Sequence, residues 1–379
     1  MVSYDRLALE KHKQLRGKIS VKLKDTLDTE EKLSMYYTPG VGAVSEYLGK
    51  HPEDTPAYTW TNNNVAIVSD GSAVLGLGDL GPYAALPVME GKSMLFKHFG
   101  DIDAVPIVLD VHSADEIVAA VKAIAPSFGG INLEDIAAPK CFEIEERLKN
   151  ELSIPVMHDD QHGTAVVVLA GLINATRVTG RKLSESSVVI AGAGAAGIAI
   201  AKLLYEYAHI RIIAVDSRGI ISRDRSDLNQ EKRALLKITN PGNTAGTLAD
   251  ALRGADIFIG VSGPGLLTGQ MIRSMSPAPI IFALANPTPE ILPAAAAAAG
   301  AAVIATGRSD FPNQVNNALA FPGIFRGALD NHIQAITDRH KVAAAEALAA
   351  MVKQPDPQHV IPSIFEPGLT QNLARIFVS

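Results

Sequence analysis

The second half of the chain alternates short apolar segments with longer segments of helical periodicity. The apolar segments read, in order, "SSVVIAGAG", "IRIIAVD", "ADIFIGVSG", "PIIFALANP" and "AAVIATG". Strands that are buried on both faces are apolar throughout, so this pattern predicts a parallel sheet covered by helices on both sides. The predicted fold class of this half is therefore a doubly wound α/β domain.

The first half has a mixed pattern that predicts a smaller α/β unit. "VAIVSDG" and "AVLGLGD" have the composition of two short strands joined by a turn. Helical periodicity follows in "PVMEGKSMLFKHF", and Asp28 is expected to cap a short helix through "TEEKLSMYY". Strands and helices of this kind predict an N-terminal mixed α/β domain.

Two domains suit a length of 379 residues. We expect the first to cover residues 1–160 and the second, with additional C-terminal helices, to cover residues 161–379. The long apolar segment "TAVVVLAGLINATRVTG" is predicted to be the connecting helix, beginning at Gly163–Thr164.

Composition narrows the class of protein. Lys and Arg total 34 against 40 Asp and Glu, a formal net charge of -6, which argues against nucleic acid or an anionic membrane as partner. No apolar run approaches the roughly 20 residues of a membrane helix. The charged N-terminal segment is not a signal peptide, and the single cysteine, Cys141, fits a reducing compartment, so we expect a cytoplasmic protein.

A glycine-rich turn follows the first strand of the second half. Gly192, Gly194 and Gly197 have G-x-G-x-x-G spacing between a buried strand and a helix, and Asp216 ends the next strand. In a Rossmann-like domain, these glycines permit a tight turn, close approach of a pyrophosphate, and close helix–strand packing. Asp216 would accept hydrogen bonds from the adenosine ribose, so the sequence predicts a nicotinamide dinucleotide site.

The choice of dinucleotide depends on the charges near Asp216. An acid at this position repels a 2′-phosphate and favours NAD. Downstream cations could neutralise such a phosphate, which leaves NADP possible; they are Arg218, Arg223, Arg225 and Lys232. Ser262, which follows the strand in "ADIFIGVSG", is a further candidate for cofactor binding.

Two pairs of carboxylates each follow a strand-like segment, Glu134–Asp135 in "INLEDIAAP" and Asp159–Asp160 in "MHDDQHG". The carboxyl ends of parallel strands lie at one edge of a sheet, so the pairs are expected to converge. Glu134, Asp135 and one of the two later aspartates would give Mg²⁺ or Mn²⁺ three oxygen ligands.

His158 and His162 offer an alternative metal site, because a four-residue spacing on a helix can present two imidazoles to zinc. With the helix expected to begin only at Gly163, the two histidines would not share it. We therefore expect both histidines to be bystanders.

Several motifs in this order resemble those of the malic enzymes, in particular the short bacterial form. They span nearly the whole chain and read "YYTPGVG", "SDGSAVLGLGDLGPYAALPVMEGK", "NLED", "HDDQHGTA", "GAGAAG", "ANPTPE" and "TGRSDFPNQVNNALAFPGIF". The resemblance implies oxidation of malate and decarboxylation of the product to pyruvate with a divalent metal. It also implies assembly as a homodimer.

By motif, the resemblance assigns a role to several residues. Tyr37 and Lys92 match the catalytic tyrosine and lysine, and Asp159 matches an acid that supports the site. The metal ligands are matched by Glu134, Asp135 and Asp160. The substrate-binding asparagines are matched by Asn286 and Asn317, and Asn286 is also a candidate cofactor contact. Lys92 would be the base for the malate hydroxyl, which requires a pKa lowered from about 10.4 by burial or the nearby cation.

One position departs from the family pattern, since Ala73 replaces the arginine that contacts the substrate carboxylate in longer members. Asn286, Asn317 or the lysine would then bind that carboxylate. An oxaloacetate decarboxylase, a malolactic enzyme, an amino-acid dehydrogenase and a non-catalytic nicotinamide-binding protein remain alternatives, although a binding protein needs no Tyr37 or Lys92.

Overall fold

In a computed structural model that describes residues 4–74 and 77–377, the chain forms two sheets packed against helices. The strands are β1 (Asn64–Ser69), β2 (Asp103–Val108), β3 (Ile131–Leu133), β4 (Val156–His158), β5 (Ser187–Ala191), β6 (Arg211–Asp216), β7 (Gly219–Ile220), β8 (Ile257–Gly260), β9 (Ile280–Ala283) and β10 (Val303–Thr306). This arrangement confirms the predicted α/β class.

The helices that surround the sheets follow the chain from end to end. They are α1 (Tyr4–Leu15), α2 (Glu30–Tyr36), α3 (Val41–Lys50), α4 (Thr55–Tyr58), α5 (Pro82–Gly100), α6 (Ala114–Ile124), α7 (Lys140–Glu151), α8 (Asp159–Val178), α9 (Ala195–Ala208), α10 (Gln230–Leu235), α11 (Leu248–Leu252), α12 (Gly269–Arg273), α13 (Pro293–Ala298), α14 (Phe321–Asp330), α15 (Asp338–Met351) and α16 (Leu369–Ala374). None of the helices within the described residues is long and apolar enough to cross a membrane.

The first sheet has four parallel strands in the order β2-β1-β3-β4. Successive side chains of β1 point to opposite faces, so Val65 and Ile67 pack with α5 while Ala66 and Val68 pack with α6 and α7. Because both faces are covered, β1 is buried along its whole length. The carboxyl ends of β1, β3 and β4 lie at one edge.

The second sheet has six strands in the order β10-β9-β8-β5-β6-β7, and all are parallel except the short β7. Val188 and Ile190 of β5 join one apolar cluster, and Val189 and Ala191 join another on the opposite face. The strand order reverses direction at β5, which is where open α/β sheets bind ligands.

Helix α8 connects the sheets and is buried from Ala165 to Thr176. It starts directly at Asp159, four residues earlier than the expected start at Gly163. The correction has a simple cause: the first turn is polar, and its carboxylates are favourable at a helix N-terminus, so the apolar periodicity begins later than the helix. The predicted domain boundary after residue 160 therefore falls within α8 and stays a prediction.

Two further expectations about the first half are wrong. Thr29, rather than Asp28, caps α2, because its side chain accepts the Lys32 N–H. "AVLGLGD" forms no strand at its described residues; instead the Val74 N–H donates to Gly78 O at 3.0 Å, which closes a turn. Leu75 and Gly76 lie outside the described residues.

The C-terminal helices return to the first sheet. The rings of Phe96 on α5 and Phe321 on α14 have centroids 4.6 Å apart. The Thr370 hydroxyl donates to Phe99 O at 2.7 Å. The C-terminal segment therefore completes the packing around α5, the helix that carries Lys92.

The N-terminal arm, residues 4–60, differs from the rest of the chain. It contains α1 to α4, yet none of its residues is buried. Lys18 anchors the arm to α5 through hydrogen bonds to Glu90 Oε2 at 3.1 Å and Pro87 O at 2.6 Å.

Candidate active site

Lys92 and two acids meet at the carboxyl edge of the first sheet. Glu134 follows β3, Asp159 follows β4, and Lys92 reaches both from α5. The Lys92 Nζ donates to Glu134 Oε1 at 2.8 Å and also binds Asp159 Oδ2. The side chains are 6%, 7% and 0% exposed, respectively, so the charges lie within the protein.

Asp160 extends this cluster toward solvent, and the buried Asp135 contacts it. The Asp135 N–H donates to Asp160 Oδ2 at 2.8 Å, and Asp135 has a left-handed backbone with φ 53°. Such conformations cost energy for residues other than glycine and are common at functional sites. The Asp160 side chain is 33% exposed, which makes it the open side of the cluster.

Burial controls the acid–base behaviour of the cluster. Desolvation raises the pKa of Glu134 well above its ordinary value, although Lys92 opposes the shift. Burial disfavours the Lys92 ammonium, but the charges of Asp159 and Glu134 outweigh that effect, so the pKa of Lys92 is raised. With two carboxylates bonded to Nζ, the pKa of Lys92 lies above its ordinary value. The expectation of a lowered pKa, which rested on burial or a nearby cation, stays a prediction.

The donor set fits a hard divalent cation. The cluster holds four carboxylates, of which Glu134 and Asp159 contact the Lys92 ammonium and Asp160 accepts the Asp135 N–H. The buried Asp159 Oδ1 accepts no hydrogen bond in the described part of the chain. Oxygen ligands and excess negative charge suit Mg²⁺ or Mn²⁺. Among residues 4–74 and 77–377, no three His, Cys, Asp or Glu side chains are arranged to hold a metal ion. Like-charged carboxylates repel one another. Here Glu134 accepts a hydrogen bond from Lys92 Nζ, and Asp160 accepts one from the Asp135 N–H.

His158 lies beside Asp160, whereas His162 contacts Glu145. The expectation that both are bystanders to a metal site stays a prediction. His158 Nε2 lies 3.3 Å from Asp160 Oδ2, and the backbone N–H of His158 donates to Glu145 Oε1 at 3.0 Å. His162 Nε2 lies 2.8 Å from Glu145 Oε2. His158 ends β4 and only caps α8, so the pair does not share a helix. His158 therefore lies between the buried Glu145 and Asp160, whereas His162 pairs with Glu145.

The glycine-rich turn has the geometry expected of a dinucleotide site. Gly192 has φ +115°, and a side chain there would meet Val261 O at 2.6 Å. A side chain on Gly197 would meet Gly192 O at 1.8 Å, which explains the need for glycine where α9 packs on β5. Gly194 faces open space at the start of α9, where a pyrophosphate can approach the N–H groups. Ala195 packs against the apolar cluster of the first sheet, so this turn borders the acid cluster's domain.

Asp216 lies at the end of β6 as predicted, but its carboxylate is already bound. Arg225 donates to both oxygens at 2.7 and 3.0 Å, and Lys232 donates at 2.7 Å. Partial burial opposes ionisation, yet these cations lower the pKa of Asp216 to about 2. Of the other predicted cations, Arg218 pairs with Asp227 at 3.1 Å.

A cavity of about 400 Å³ lies next to this ion-pair cluster. Its lining has four cations and no acid, and consists of Arg223, Arg225, Leu228, Arg233, Leu236 and Lys237. The surface beside Asp216 is therefore rich in cations.

Glu290 organises the loops after β8 and β9, and its role was not predicted. It is fully buried, and it accepts the N–H groups of Ser262 and Ala285, each at 3.1 Å. A side chain on Gly260 would meet Glu290 at 2.3 Å, so glycine leaves room for the carboxylate. The "ANPTPE" motif contained Glu290, but only a contact across 28 positions reveals what it holds.

The candidate asparagines occupy different places. Asn286 is exposed at the end of the second sheet, against Gly307. Asn317 lies at the other end of the site: a side chain on Gly163 would meet both Asp159 Oδ1, at 2.0 Å, and Asn317 Cβ, at 3.0 Å. Asn317 is thus brought beside the acid cluster.

Tyr37 is not brought to the cluster within one chain. Its side chain is 68% exposed, whereas Lys92 contacts Glu134, Asp159 and the ring of Phe321. Within the described residues, the Tyr37 hydroxyl has no hydrogen-bond partner, while the neighbouring Tyr36 hydroxyl donates to Asp25 at 2.6 Å.

Comparison with protein families gives two matches that together cover most of the chain. Residues 16–149 match the malic enzyme N-terminal domain, and residues 161–367 match the malic enzyme NAD binding domain.

Curated relatives and solved structures agree with these matches. The chain is 52% identical to an NAD-dependent malic enzyme of Geobacillus stearothermophilus, over 96% of this chain and 76% of that protein. It is 51% identical to a bifunctional malic/malolactic enzyme of Bacillus subtilis, over 97% and 90%. An NADP-dependent malic enzyme of Rhizobium meliloti is 47% identical, over 96% of this chain and half of that protein. The crystal structure of an NAD-dependent malic enzyme from Thermotoga maritima superposes with a TM-score of 0.95 and 49% identity, covering 100% and 99% of the chains.

Proposed function

Because the chain belongs to the malic enzyme family, whose members oxidatively decarboxylate malate, we propose that Lys92 is its general base and NAD its preferred cofactor. The reaction takes (S)-malate to pyruvate and CO2 with reduction of NAD(P). The observation that carries the proposal is the buried Lys92 Nζ, held between Glu134 and Asp159 at the carboxyl edge of the first sheet.

Glu134, Asp135 and Asp160 are the residues we propose to hold Mg²⁺ or Mn²⁺. When bound, the cation supplies Lewis-acid polarisation of a substrate carbonyl. Asp159 is a positioning residue, because its fully buried carboxylate fixes the Lys92 ammonium. His158 Nε2 lies 3.3 Å from Asp160 Oδ2, and Glu145 accepts the backbone N–H of His158.

Proton movements fall to Lys92 and Tyr37. A cation bound by Glu134 would remove one of the two carboxylates that keep Lys92 protonated. Lys92 Nζ, then the neutral amine, takes the proton of the C2 hydroxyl as hydride leaves C2, and the oxidised product loses CO2 from C4. The electron pair left by CO2 moves toward C2, and C3 then needs a proton. Tyr37 donates that proton from its hydroxyl, and Lys92 returns one to the tyrosine. Nicotinamide supplies the hydride acceptor, which the protein has only to align with C2.

The preference for NAD is expected to be modest. Asp216 is an acceptor for the adenosine ribose, which favours NAD. Arg225 and Lys232 neutralise its charge, and the basic cavity lies beside it, so a 2′-phosphate is not strongly repelled. Gly192, Gly194, Gly197, Ser262 and Asn286 are the other proposed cofactor contacts.

Substrate recognition falls to groups other than an arginine at position 73. Asn317 beside Asp159 and the exposed Asn286 are the proposed contacts for malate or pyruvate. Lys92 is the cation of the cluster itself, and the nearby Lys140 is already paired with Asp70. We further propose a cytoplasmic homodimer, which fits a single buried cysteine and the exposed arm.

A malolactic activity is the second candidate, because one relative at 51% identity is named as a bifunctional malic/malolactic enzyme. The product distinguishes the two activities, because a malic enzyme forms pyruvate and a malolactic enzyme forms lactate. The test is an assay of malate with Mn²⁺ and with NAD or NADP, following reduced nicotinamide and identifying the product. Reduced nicotinamide formed together with pyruvate, and lost on chelation, supports the proposal. Lactate without reduced nicotinamide supports the alternative, and full activity in a chelator contradicts the metal assignment.

A further inference from the structure

Glu290 is a buried carboxylate that binds backbone N–H groups instead of a cation. Its side chain is fully buried, and no Lys, Arg or His pairs with it in the part of the chain that the structure describes. Oε1 accepts the Ser262 N–H and Oε2 accepts the Ala285 N–H, each at 3.1 Å. Burial raises the pKa of Glu290, and both N–H groups oppose that shift because they favour the ionised form. The buried charge is therefore stabilised only while both N–H groups stay in place.

The two N–H groups belong to different loops. Ser262 lies on the loop after β8, and Ala285 lies on the loop after β9. The backbone joins the same loops, since the Leu267 N–H donates to Glu290 O at 3.1 Å. A side chain on Gly260, the last residue of β8, would meet Glu290 Cδ at 2.3 Å, so the strand end leaves room for the carboxylate. Glu290 thus fixes the spacing of the two loops.

These loops lie on the far side of β5 from the proposed adenosine contact. Asp216 ends β6 on one side of β5, and β8 and β9 lie on the other side. The pyrophosphate is expected at the N-terminus of α9, directly after β5. A dinucleotide that crosses this edge of the sheet therefore extends its nicotinamide toward the loops after β8 and β9. Those loops carry Ser262 and Asn286, two of the proposed cofactor contacts.

The glycine-rich turn packs against one of the same loops. A side chain on Gly192 would meet Val261 O at 2.6 Å and Ser262 Cβ at 3.1 Å. Glu290 binds the N–H of Ser262 and also that of the residue before Asn286. The turn that receives the pyrophosphate is thus linked, through Glu290, to the asparagine at the nicotinamide end.

We propose that Glu290 is a positioning residue for hydride transfer, because it fixes the loops that hold the nicotinamide against C2 of malate. The inference rests on the proposed function, which supplies malate and NAD(P). In this step the C2–H bond of malate breaks, a C–H bond forms on the nicotinamide ring, and Lys92 takes the hydroxyl proton. Such a transfer depends on alignment, since a displacement of about 1 Å can cost about a hundredfold in rate. Glu290 is fully buried and acts only through the loops.

Glu290→Gln tests the proposal with almost no change of shape. A carboxylate offers an acceptor at each oxygen, whereas an amide offers one acceptor and one NH2 donor. One of the two loop N–H groups then faces another donor, so that loop is released. Calorimetric titrations with NADH and with ADP-ribose, which lacks the nicotinamide, measure the consequence without turnover. The affinity for NADH should fall by about five- to tenfold, the usual effect of one lost hydrogen bond, while that for ADP-ribose stays within about twofold.

Turnover of malate deuterated at C2 gives a second measurement. In Glu290→Gln we expect kcat to fall by about ten- to a hundredfold and the deuterium isotope effect to rise, because the hydride step becomes slower than the others. A mere loss of folded enzyme would lower kcat and leave the isotope effect unchanged. Gly260→Ala should shift both measurements in the same direction, since its methyl group displaces the carboxylate without removing it. Glu206→Gln, at an exposed glutamate of α9, is the matched control and should behave as the wild type.

The outcomes separate this inference from the proposed function. An unchanged ratio of NADH to ADP-ribose affinity in Glu290→Gln, or a wild-type isotope effect in both Glu290→Gln and Gly260→Ala, overturns the inference and leaves the proposed function intact. A wild-type chain that forms no reduced nicotinamide from malate overturns the proposed function itself.

Discussion

Two charged clusters lie at the carboxyl ends of the two sheets, and their charges are balanced in opposite directions. At the first sheet, two of four clustered carboxylates, those of Glu134 and Asp159, contact the single ammonium of Lys92. At the second, Asp216 is bound by Arg225 and Lys232, beside a cavity lined by further cations. The first cluster therefore has negative charge to spare and suits a cation, whereas the second has positive charge to spare and suits a phosphate.

The comparison teaches that residue type alone does not define a site. Asp159 and Asp216 are both aspartates at the end of a parallel strand, with side chains 0% and 8% exposed. Burial raises the pKa of Asp159, which shares its one cation with Glu134. Lys232 and Arg225, the latter also paired with Asp227, lower the pKa of Asp216 to about 2. The number of cations within reach decides what each aspartate can bind.

The largest effect is expected at the first cluster. Lys92→Ala should retain cofactor and metal binding but lose turnover by about 10²–10⁴-fold, the usual range for a general acid or base. Removing one partner of a buried ion pair also destabilises the fold by about 3–5 kcal/mol, so thermal unfolding must be measured alongside kcat. Lys97→Ala, at an exposed lysine of the same helix, is the control. Unchanged turnover of Lys92→Ala removes the lysine from the mechanism.

Sequence reasoning located the elements of this cluster but not its electrostatics. Periodicity placed the strands before Glu134 and Asp159, because apolar alternation is a local property of the chain. The pKa of Lys92 depends on partners 42 and 67 positions away, which no local pattern reveals. The start of α8 at Asp159 was not predicted for a related reason. Its first turn is polar and therefore shows no apolar periodicity.

The second cluster was predicted less completely. G-x-G-x-x-G spacing identified Gly192, Gly194 and Gly197, because the backbone itself requires glycine there. The ion pairs that neutralise Asp216 come from a loop and from α10, whose approach depends on tertiary packing. Glu290 was missed because its role is to bind backbone N–H groups of two separate loops.

A smaller effect is expected at the second cluster. Arg225→Ala should lower kcat/KM for NADP by about ten- to a hundredfold, since a hydrogen bond to a charged group contributes about 1.5–3 kcal/mol. The kcat/KM for NAD should change less, because the adenosine ribose of NAD carries no 2′-phosphate. Parallel assays with both cofactors measure the ratio, and Arg218→Ala, 70% exposed, is the matched variant. Equal losses with NAD and NADP contradict a phosphate-binding role.

The smallest effect is expected at the pair formed by His162 and Glu145. Burial lowers the pKa of His162 to about 4, although Glu145 opposes the shift. Because the unfolded chain takes up this proton near pH 6.5 and the folded one only near pH 4, stability is fully present above pH 6.5 and falls as the pH falls toward 4. His162→Gln should flatten that part of the Tm–pH curve. His112→Gln, at an exposed histidine, should leave its slope as in the wild type; an unaltered slope in His162→Gln refutes the linkage.

Binding of Mn²⁺ tests the central contrast most directly, because it needs no turnover. Electron paramagnetic resonance of free Mn²⁺ during a titration counts the bound ions, with wild type, Asp160→Asn and Asp216→Asn compared at the same pH. We predict one Mn²⁺ site per chain in the wild type and in Asp216→Asn, with affinity at least tenfold lower in Asp160→Asn, because that change removes a ligand charge. Equal Mn²⁺ affinity in the wild type and Asp160→Asn would contradict the assignment of the first cluster as a cation site.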